Sequence, residues 1–486
     1  PYDFKILKKL LRYFNNNIYV DLNEILKLFI KKPKFFEKNK SQERNIGMKL
    51  NTGQKTWIKA KNIIPGGTML FSKNPDLLLP KKWPAYYSKA KGCYIWDLDS
   101  QKHLDFYSMG IGTNLLGYCR NEIDNNVIKS IKKSNMSSLN APDDINLAEK
   151  LIEINPWAEM VRFTRSGGEA NAVAIRIARA SSGRENIAVC GYHGWHDWYL
   201  SSNLADSNNL NTHLMENLPI KGVPKGLKNT TFTFDYNNFD QLKKIVNEKN
   251  IGIIKMEVQR HEKPKNNFLK KVRKLANEKK IILIFDECTS GFRETYGGLH
   301  KTYDVAPDIC IFGKALGNGY AINAIVGKRE IMEVSNQTFL SSTFWTERIG
   351  SVAALETIKI MKKIKSWEIV TKLGQKLKKN WKSLAKRHSL NIETSGLDAI
   401  PIFNFKTKVN DTHQYKNYIT QEMLKKKILA SNIVYLSTSH NNTILERYFD
   451  NLDKIFKQIK NCENEEEDFN NIFKNQLSIK GIRQQK

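Results

Sequence analysis

IGIIKMEV (residues 251–258), FLKKVRKLANEKK (268–280) and IILIFDE (281–287) follow one another, and this stretch decides the fold. The outer two are strand-length apolar runs rich in Ile, and the middle one reads as a helix. A strand that is apolar on both faces must be covered on both sides, which is the condition of a parallel sheet between helices. Working outward, VRFTRS (161–166) leads into a helix EANAVAIRIARAS (169–181) and then ENIAVC (185–190). Further on come DICIFGK (308–314) and AINAIVG (321–327). The alternation predicts an α/β fold with a mainly parallel sheet over residues 116–345.

The flanks read differently. Residues 61–115 hold the turn IPGGT (64–68) and GCYIWDLDSQKHLDFYSMG (92–110), which alternates around DLDSQ as a hairpin does. Residues 346–460 are helix-rich, with IPIFNF (400–405) and NIVYLS (432–437) as strand candidates, and join 61–115 in a smaller α+β domain. The tail 461–486, with NEEEDFNN, lacks periodicity and is expected to be disordered. Residues 1–60 carry amphipathic helical patterns, DFKILKKLLRYF and DLNEILKLFIKKPKFF, and then a linker through NTGQKTW. They begin without Met and read as the severed end of a longer upstream domain.

The chain has 486 residues, with 41% hydrophobic and 26% charged, the composition of an ordinary globular protein. Its longest apolar runs fall far short of the ~20 residues of a membrane span, so no membrane role is expected. The net charge of +29 is spread along the whole chain as lysine pairs among Asn and Ile. No zinc finger, RNP-type stretch or Arg-rich arm turns that charge into base readout, so no nucleic-acid partner is expected. Six cysteines (93, 119, 190, 288, 310 and 462) form no CxxC spacing, which predicts reduced thiols and a cytoplasmic location. His193 and His196 stand as HxxH, but no third ligand lies nearby, so two polar loop residues account for them and no metal is expected.

Three constellations carry chemistry. In RSGGEANA (165–172) a strand runs into two glycines and a helix, so free N–H groups at a helix start can cradle a phosphate. A simple tight turn explains the same glycines. Asp286 and Glu287 close the apolar strand IILIFDE, where open α/β sheets place ligands. Two solvated carboxylates are the plain alternative. Lys314 follows the apolar ICIF and precedes a glycine-rich turn, a setting that can depress an amine's pKa and make it a Schiff-base nucleophile. A surface lysine is the commoner fate. Together with an aromatic face from Tyr192 in GYHGWHD (191–197), the three meet the needs of one cofactor, pyridoxal 5'-phosphate.

On these motifs the chain resembles the class-III (subgroup II) aminotransferases of PLP fold type I, in the branch similar to glutamate-1-semialdehyde 2,1-aminomutase. IPGG, YIWDLDSQKHLDF, SGGEA, GYHG, FDECTSGFRETYGG, PDICIFGKALGNG and STFW occur in the family's order between about residues 64 and 460. The resemblance implies that Lys314 carries the cofactor, that Asp286 faces the pyridine nitrogen, and that Tyr192 stacks on the ring. It puts Ser166, Gly167 and Gly168 in the phosphate cup, with His193 and Cys288 also at the cofactor. Thr343 would reach the phosphate of a neighbouring subunit, which implies a homodimer with shared active sites. Glu257, Arg348, Arg165 and His440 are candidates for the substrate side, although a structural ion pair accounts for either arginine equally well. The implied activity is transfer of an amino group from L-glutamate to a carbonyl acceptor, with intramolecular aminomutase chemistry as the alternative.

The chain departs from the family pattern in four places. Gly168 stands where Ser or Thr is usual, Cys288 where Val is common, and Glu257-Val258 replaces Glu-Pro. TFWTERIG replaces the mutase-like TLSGNP beside the cofactor, which argues against semialdehyde mutase specificity. YHGWHDWY and STFWTER are similar to a sub-branch linked to surface-polysaccharide assembly, which implies a keto sugar as acceptor. Residues 1–50, ending near KKPKFFEKNKSQERN, resemble the tail of acylneuraminate-type cytidylyltransferases.

Overall fold

The structure is a computed structural model and describes residues 50–213 and 215–480. The amphipathic stretches of residues 1–49, and the cytidylyltransferase resemblance they carry, lie outside the described residues, as do residues 481–486.

Where NTGQKTW reads as a linker, a helix spans Thr52–Ile63. Its capping groups lie far off in sequence, which hides it from a local reading: the Thr52 N–H donates to Asp99 Oδ2 at 2.9 Å. Trp57 packs under the IPGG turn so closely that a Cβ on Gly67 would lie 2.5 Å from the indole. Strands β1 (Tyr87–Lys91), β2 (Tyr94–Asp97) and β3 (Lys102–Phe106) follow as an antiparallel ribbon. The β2–β3 turn is held by Asp97 Oδ1, which accepts from the N–H groups of Asp99 and Gln101.

Seven strands make the large sheet: β4 (Met160–Thr164), β5 (Asn186–Cys190), β6 (Thr231–Thr233), β7 (Ile251–Glu257), β8 (Ile282–Glu287), β9 (Ile309–Phe312) and β10 (Asn323–Gly327). Their order is β4-β10-β9-β8-β7-β5-β6. Every residue of β7 and β8 is buried. Alternate residues feed two cores. Ile253, Ile284 and Ile311 face the helix Gly167–Ser182, and Met256, Leu283, Phe285 and Cys310 face the larger core behind. The amphipathic helix Phe268–Glu278 covers that second face with Phe268, Leu269, Val272, Leu275 and Ala276.

The sheet is parallel except at β10, which runs antiparallel to both β4 and β9. The segment from Gly313 to Ile322 holds one short turn, Lys314–Gly317, and is too short for a crossover helix, so the chain can only reverse. Strands β11 (Ile392–Ser395) and β12 (Ile402–Phe405) pair as a hairpin. Strand β13 (Ile428–Ala430) then returns to lie parallel to β3, so residues 87–106 and 428–430 share one sheet. Thus α/β fold type I is the architecture.

The expectation of a disordered tail fails for residues 461–480. The helix Asn442–Glu463 continues through Cys462, and Phe469 and Phe473 are buried, stacked at 5.3 Å, with Phe469 edge-on to Tyr415. Ser478 N–H donates to Asn417 Oδ1 and its carbonyl accepts from His413. The two aromatics that anchor this segment follow no helical or strand period, so pattern reading misses them. Phe469→Ala is expected to lower stability by about 3 kcal/mol, the usual effect of removing a buried aromatic. Denaturant melts would check this, and an unchanged midpoint would leave the tail unanchored.

Candidate active site

The site forms at the carboxyl ends of β7, β8 and β9, where three buried strands bring charged side chains to one edge. Burial alone would raise the pKa of Asp286, because an ionised carboxylate loses its water. Here the His193 hydrogen bond (Nδ1 to Oδ2, 2.8 Å) and the nearby Lys255 charge overcome that and hold the carboxyl well below its usual range. Its Oδ1 accepts from the Cys288 N–H at 3.0 Å. His193 is fully buried, with Nε2 3.1 Å from the Cys190 carbonyl oxygen, so both ring nitrogens face acceptors.

Lys314 follows β9 in a left-handed conformation, φ 44°, a backbone shape that L-residues adopt only when the surroundings impose it. Its Nζ donates to Thr289 Oγ1 at 2.7 Å. Burial, helped by the Arg260 guanidinium, pulls the amine down to about 8. The depression raises the unprotonated share at pH 7 to about a tenth, in the form a nucleophile requires.

The expected phosphate cup is the start of the helix Gly167–Ser182. Ser166 caps it in a reciprocal pair with Glu169, whose carboxylate accepts from the Ser166 N–H at 2.8 Å. The N–H groups of Gly167 and Gly168 are the first two of the helix and have no acceptor within it. Cys288 lies beneath: a Cβ on Gly167 would be 3.5 Å from its Sγ. Tyr192 is half-buried, with its ring edge-on to Tyr199 at 6.0 Å and its N–H on Glu257 Oε2.

The structure does not place all of the expected substrate residues in this site. Glu257 is there, but Arg260 holds it through Nε and Nη2 contacts of 2.6–2.9 Å. Arg165 pairs with Glu347 at 2.8 Å and donates to the carbonyls of Trp345 and Glu347. Arg348 pairs with Asp143 at 2.5 Å. Both arginines fasten the start of the helix Arg348–Ile364, so neither guanidinium is left to clamp a substrate. His440 is buried against Phe106, with Nε2 on the Asp105 carbonyl oxygen, and braces the small sheet instead. Thr343 is exposed on a short turn.

Several residues escaped the sequence reading. Thr289 and Arg293 lie within FDECTSGFRETYGG, and Arg293 is wholly buried, donating to the carbonyls of Thr289 and Gly112. Arg260 stands three residues beyond Glu257, a spacing that could have flagged the pair. Lys255 is the most visible in hindsight, the one basic residue inside the apolar run IGIIKMEV. It is fully buried opposite Ile284 and its Nζ has no hydrogen-bond partner. Glu287 proves structural. Each of its oxygens accepts two hydrogen bonds, from Ser290, Leu299 and His300. Cys310 lies near this pair, but the carboxylate has little capacity left for an ion.

Comparison with known proteins agrees with this geometry. The pattern described as aminotransferase class-III matches residues 80–445. This chain belongs to the class-III aminotransferase family. It is 33% identical over 414 residues to a 3-aminobutyryl-CoA aminotransferase of Cloacimonas acidaminovorans, covering 83% of this chain and 94% of the relative. A glutamate-1-semialdehyde 2,1-aminomutase of Nitrosopumilus maritimus is 31% identical over 436 residues, covering 84% of this chain and all, 100%, of the relative. Among solved structures, the FumI protein of Sphingopyxis sp. MTA144 superposes with a TM-score of 0.76 at 23% identity, over 84% of this chain and 97% of that one.

The protein is therefore a PLP-dependent transaminase or aminomutase. The residues present fit pyridoxal 5'-phosphate: a depressed amine, an ionised buried carboxylate on the adjoining strand and unpaired N–H groups at a glycine cup.

Lys255 yields a pH-dependent prediction. Burial pushes its pKa down, so in the window below a free lysine's pKa the unfolded chain holds a proton that folding disfavours. Stability from this group therefore falls as pH drops below about 10.4. Lys255→Met is expected to raise the melting temperature at pH 7, with the gain shrinking towards pH 10. A lower melting temperature at pH 7 would show that Asp286 depends on the ammonium.

Proposed function

We propose that this enzyme is a transaminase that takes the amino group of L-glutamate and passes it to a carbonyl acceptor, a keto sugar of surface-polysaccharide assembly. One observation carries the transfer chemistry: Lys314, pulled down to about 8 just past the end of β9, and Asp286, held ionised on the adjoining β8, stand beside one glycine cup. When bound, pyridoxal 5'-phosphate supplies an electrophilic carbon and a ring that absorbs carbanion charge. Gly167 and Gly168 N–H groups bind its phosphate, and Tyr192 covers the ring. Cys288, beside Gly167, would line the place of the ring, and Asp286 would keep the pyridine nitrogen protonated. His193 orients that carboxylate. Lys314 Nζ would hold the cofactor's electrophilic carbon and, when free, would take the proton from the donor's α-carbon.

The sugar acceptor is supported by the similarity of YHGWHDWY and STFWTER to that sub-branch. The aminomutase reading is favoured by relatives such as the Nitrosopumilus maritimus enzyme. Glutamate given without an acceptor separates the two. A transaminase releases about one 2-oxoglutarate per site, and Lys314→Ala releases none. Absence of 2-oxoglutarate together with isomerisation of glutamate-1-semialdehyde would transfer the assignment to the mutase.

A homodimer with Thr343 of the partner subunit at the phosphate completes the reading. Its support is the exposed apolar surface around that turn, with Phe339 87% and Phe344 68% exposed. Sedimentation is expected to give twice the chain mass, and Phe344→Asp to give monomer with weakened cofactor binding. A fully active monomer would refute the shared site. Among the described residues no helix is long and apolar enough to cross a membrane. The unpaired state of all six cysteines supports a cytoplasmic location.

A further inference from the structure

The loop that carries Tyr192 folds back over the first turn of the helix Gly167–Ser182. Gly194, at φ +100°, comes so near that a Cβ on it would lie 3.3 Å from the Cα of Gly168. A Cβ on Gly168 would lie 2.8 Å from His196 Cε1 and 3.0 Å from His196 Nδ1. The imidazole thus fills the space that a side chain on residue 168 would need.

That ring is held in place. The Trp195 indole stacks on it at 4.3 Å with an interplanar angle of 24°. Its Nδ1 is shut off from solvent and has no hydrogen-bond partner. A shielded polar atom left in this state is unfavourable, and a bound partner would remove that cost. The ring lies against the first turn of the helix Gly167–Ser182, at the positive end of its 16 residues. An N–H donor there meets an anion.

We propose that His196 is a ligand of the cofactor's phosphate, with its Nδ1–H donating where a side chain on residue 168 would otherwise reach. The inference rests on the assignment of the glycine cup to the phosphate. It gives a role to the second histidine of YHGWHD and explains why residue 168 has no side chain: the imidazole and a Cβ cannot share the space.

Apoprotein of the full chain titrated with pyridoxal 5'-phosphate and with pyridoxal, which lacks the phosphate, tests this through the ratio of the two dissociation constants. Wild type is expected to prefer the phosphorylated form strongly. His196→Phe keeps a ring against Trp195 but no donor, and is expected to reduce that preference about tenfold without weakening pyridoxal. His196→Asn, which places an amide N–H at the same reach, is expected to restore most of it. Gly168→Ser with His196→Ala frees the space for a hydroxyl and is expected to recover affinity too, whereas Gly168→Ser alone is not. An unchanged ratio in His196→Phe would overturn the role of His196 and leave the cup standing. A wild type that binds both forms alike would overturn the cup itself, and the proposal with it.

Discussion

The hydrogen bond between His193 and Asp286 is the contact on which the site depends. A carboxylate at the end of a fully buried strand is tolerated only with a close partner. His193 is that partner, and it comes from the loop after β5, one strand beyond β7. Because the bond is short and dry, it fixes the whole segment from Gly191 to Asp197. Tyr192 is thereby set beside Glu257, and His196 is set over the first turn of the helix Gly167–Ser182.

The same constraint recurs at each neighbouring strand end. Glu257 is held by Arg260, and Glu287 by Ser290, Leu299 and His300. The reacting group differs from these by what it lacks. Lys314 donates to a neutral hydroxyl and has no carboxylate partner among the described residues, so nothing close offsets the burial and the Arg260 charge that depress its amine. Fully paired charges brace the loops, while the incompletely paired lysine is free to react. Perturbed, under-satisfied groups gather where function lies.

Much of this was legible in the chain. The apolar runs of β7, β8 and β9 announce a doubly covered sheet, and the residues that end them, Asp286 and Lys314, follow from the rule that ligands sit at carboxyl ends of strands. Other features were hidden because distant segments create them. Arg165, Arg348 and His440 were substrate candidates in sequence, with a structural ion pair the equal alternative for the arginines, and the partners that decide this, Glu347, Asp143 and Asp105, arrive only through folding. The tail from residue 464 looked featureless because its two anchoring phenylalanines follow no repeat and dock on the helix Thr412–Lys425.

The sequence by itself determined the sheet and the family, and it singled out the lysine, the carboxylate and the glycine pair as candidates, because each depends on local pattern and residue order. Tertiary structure alone decided which charges are spent in pairing, that β10 must reverse, and that His196 occupies the space of a missing side chain. These are matters of distance between segments far apart in the chain, and no periodicity records them.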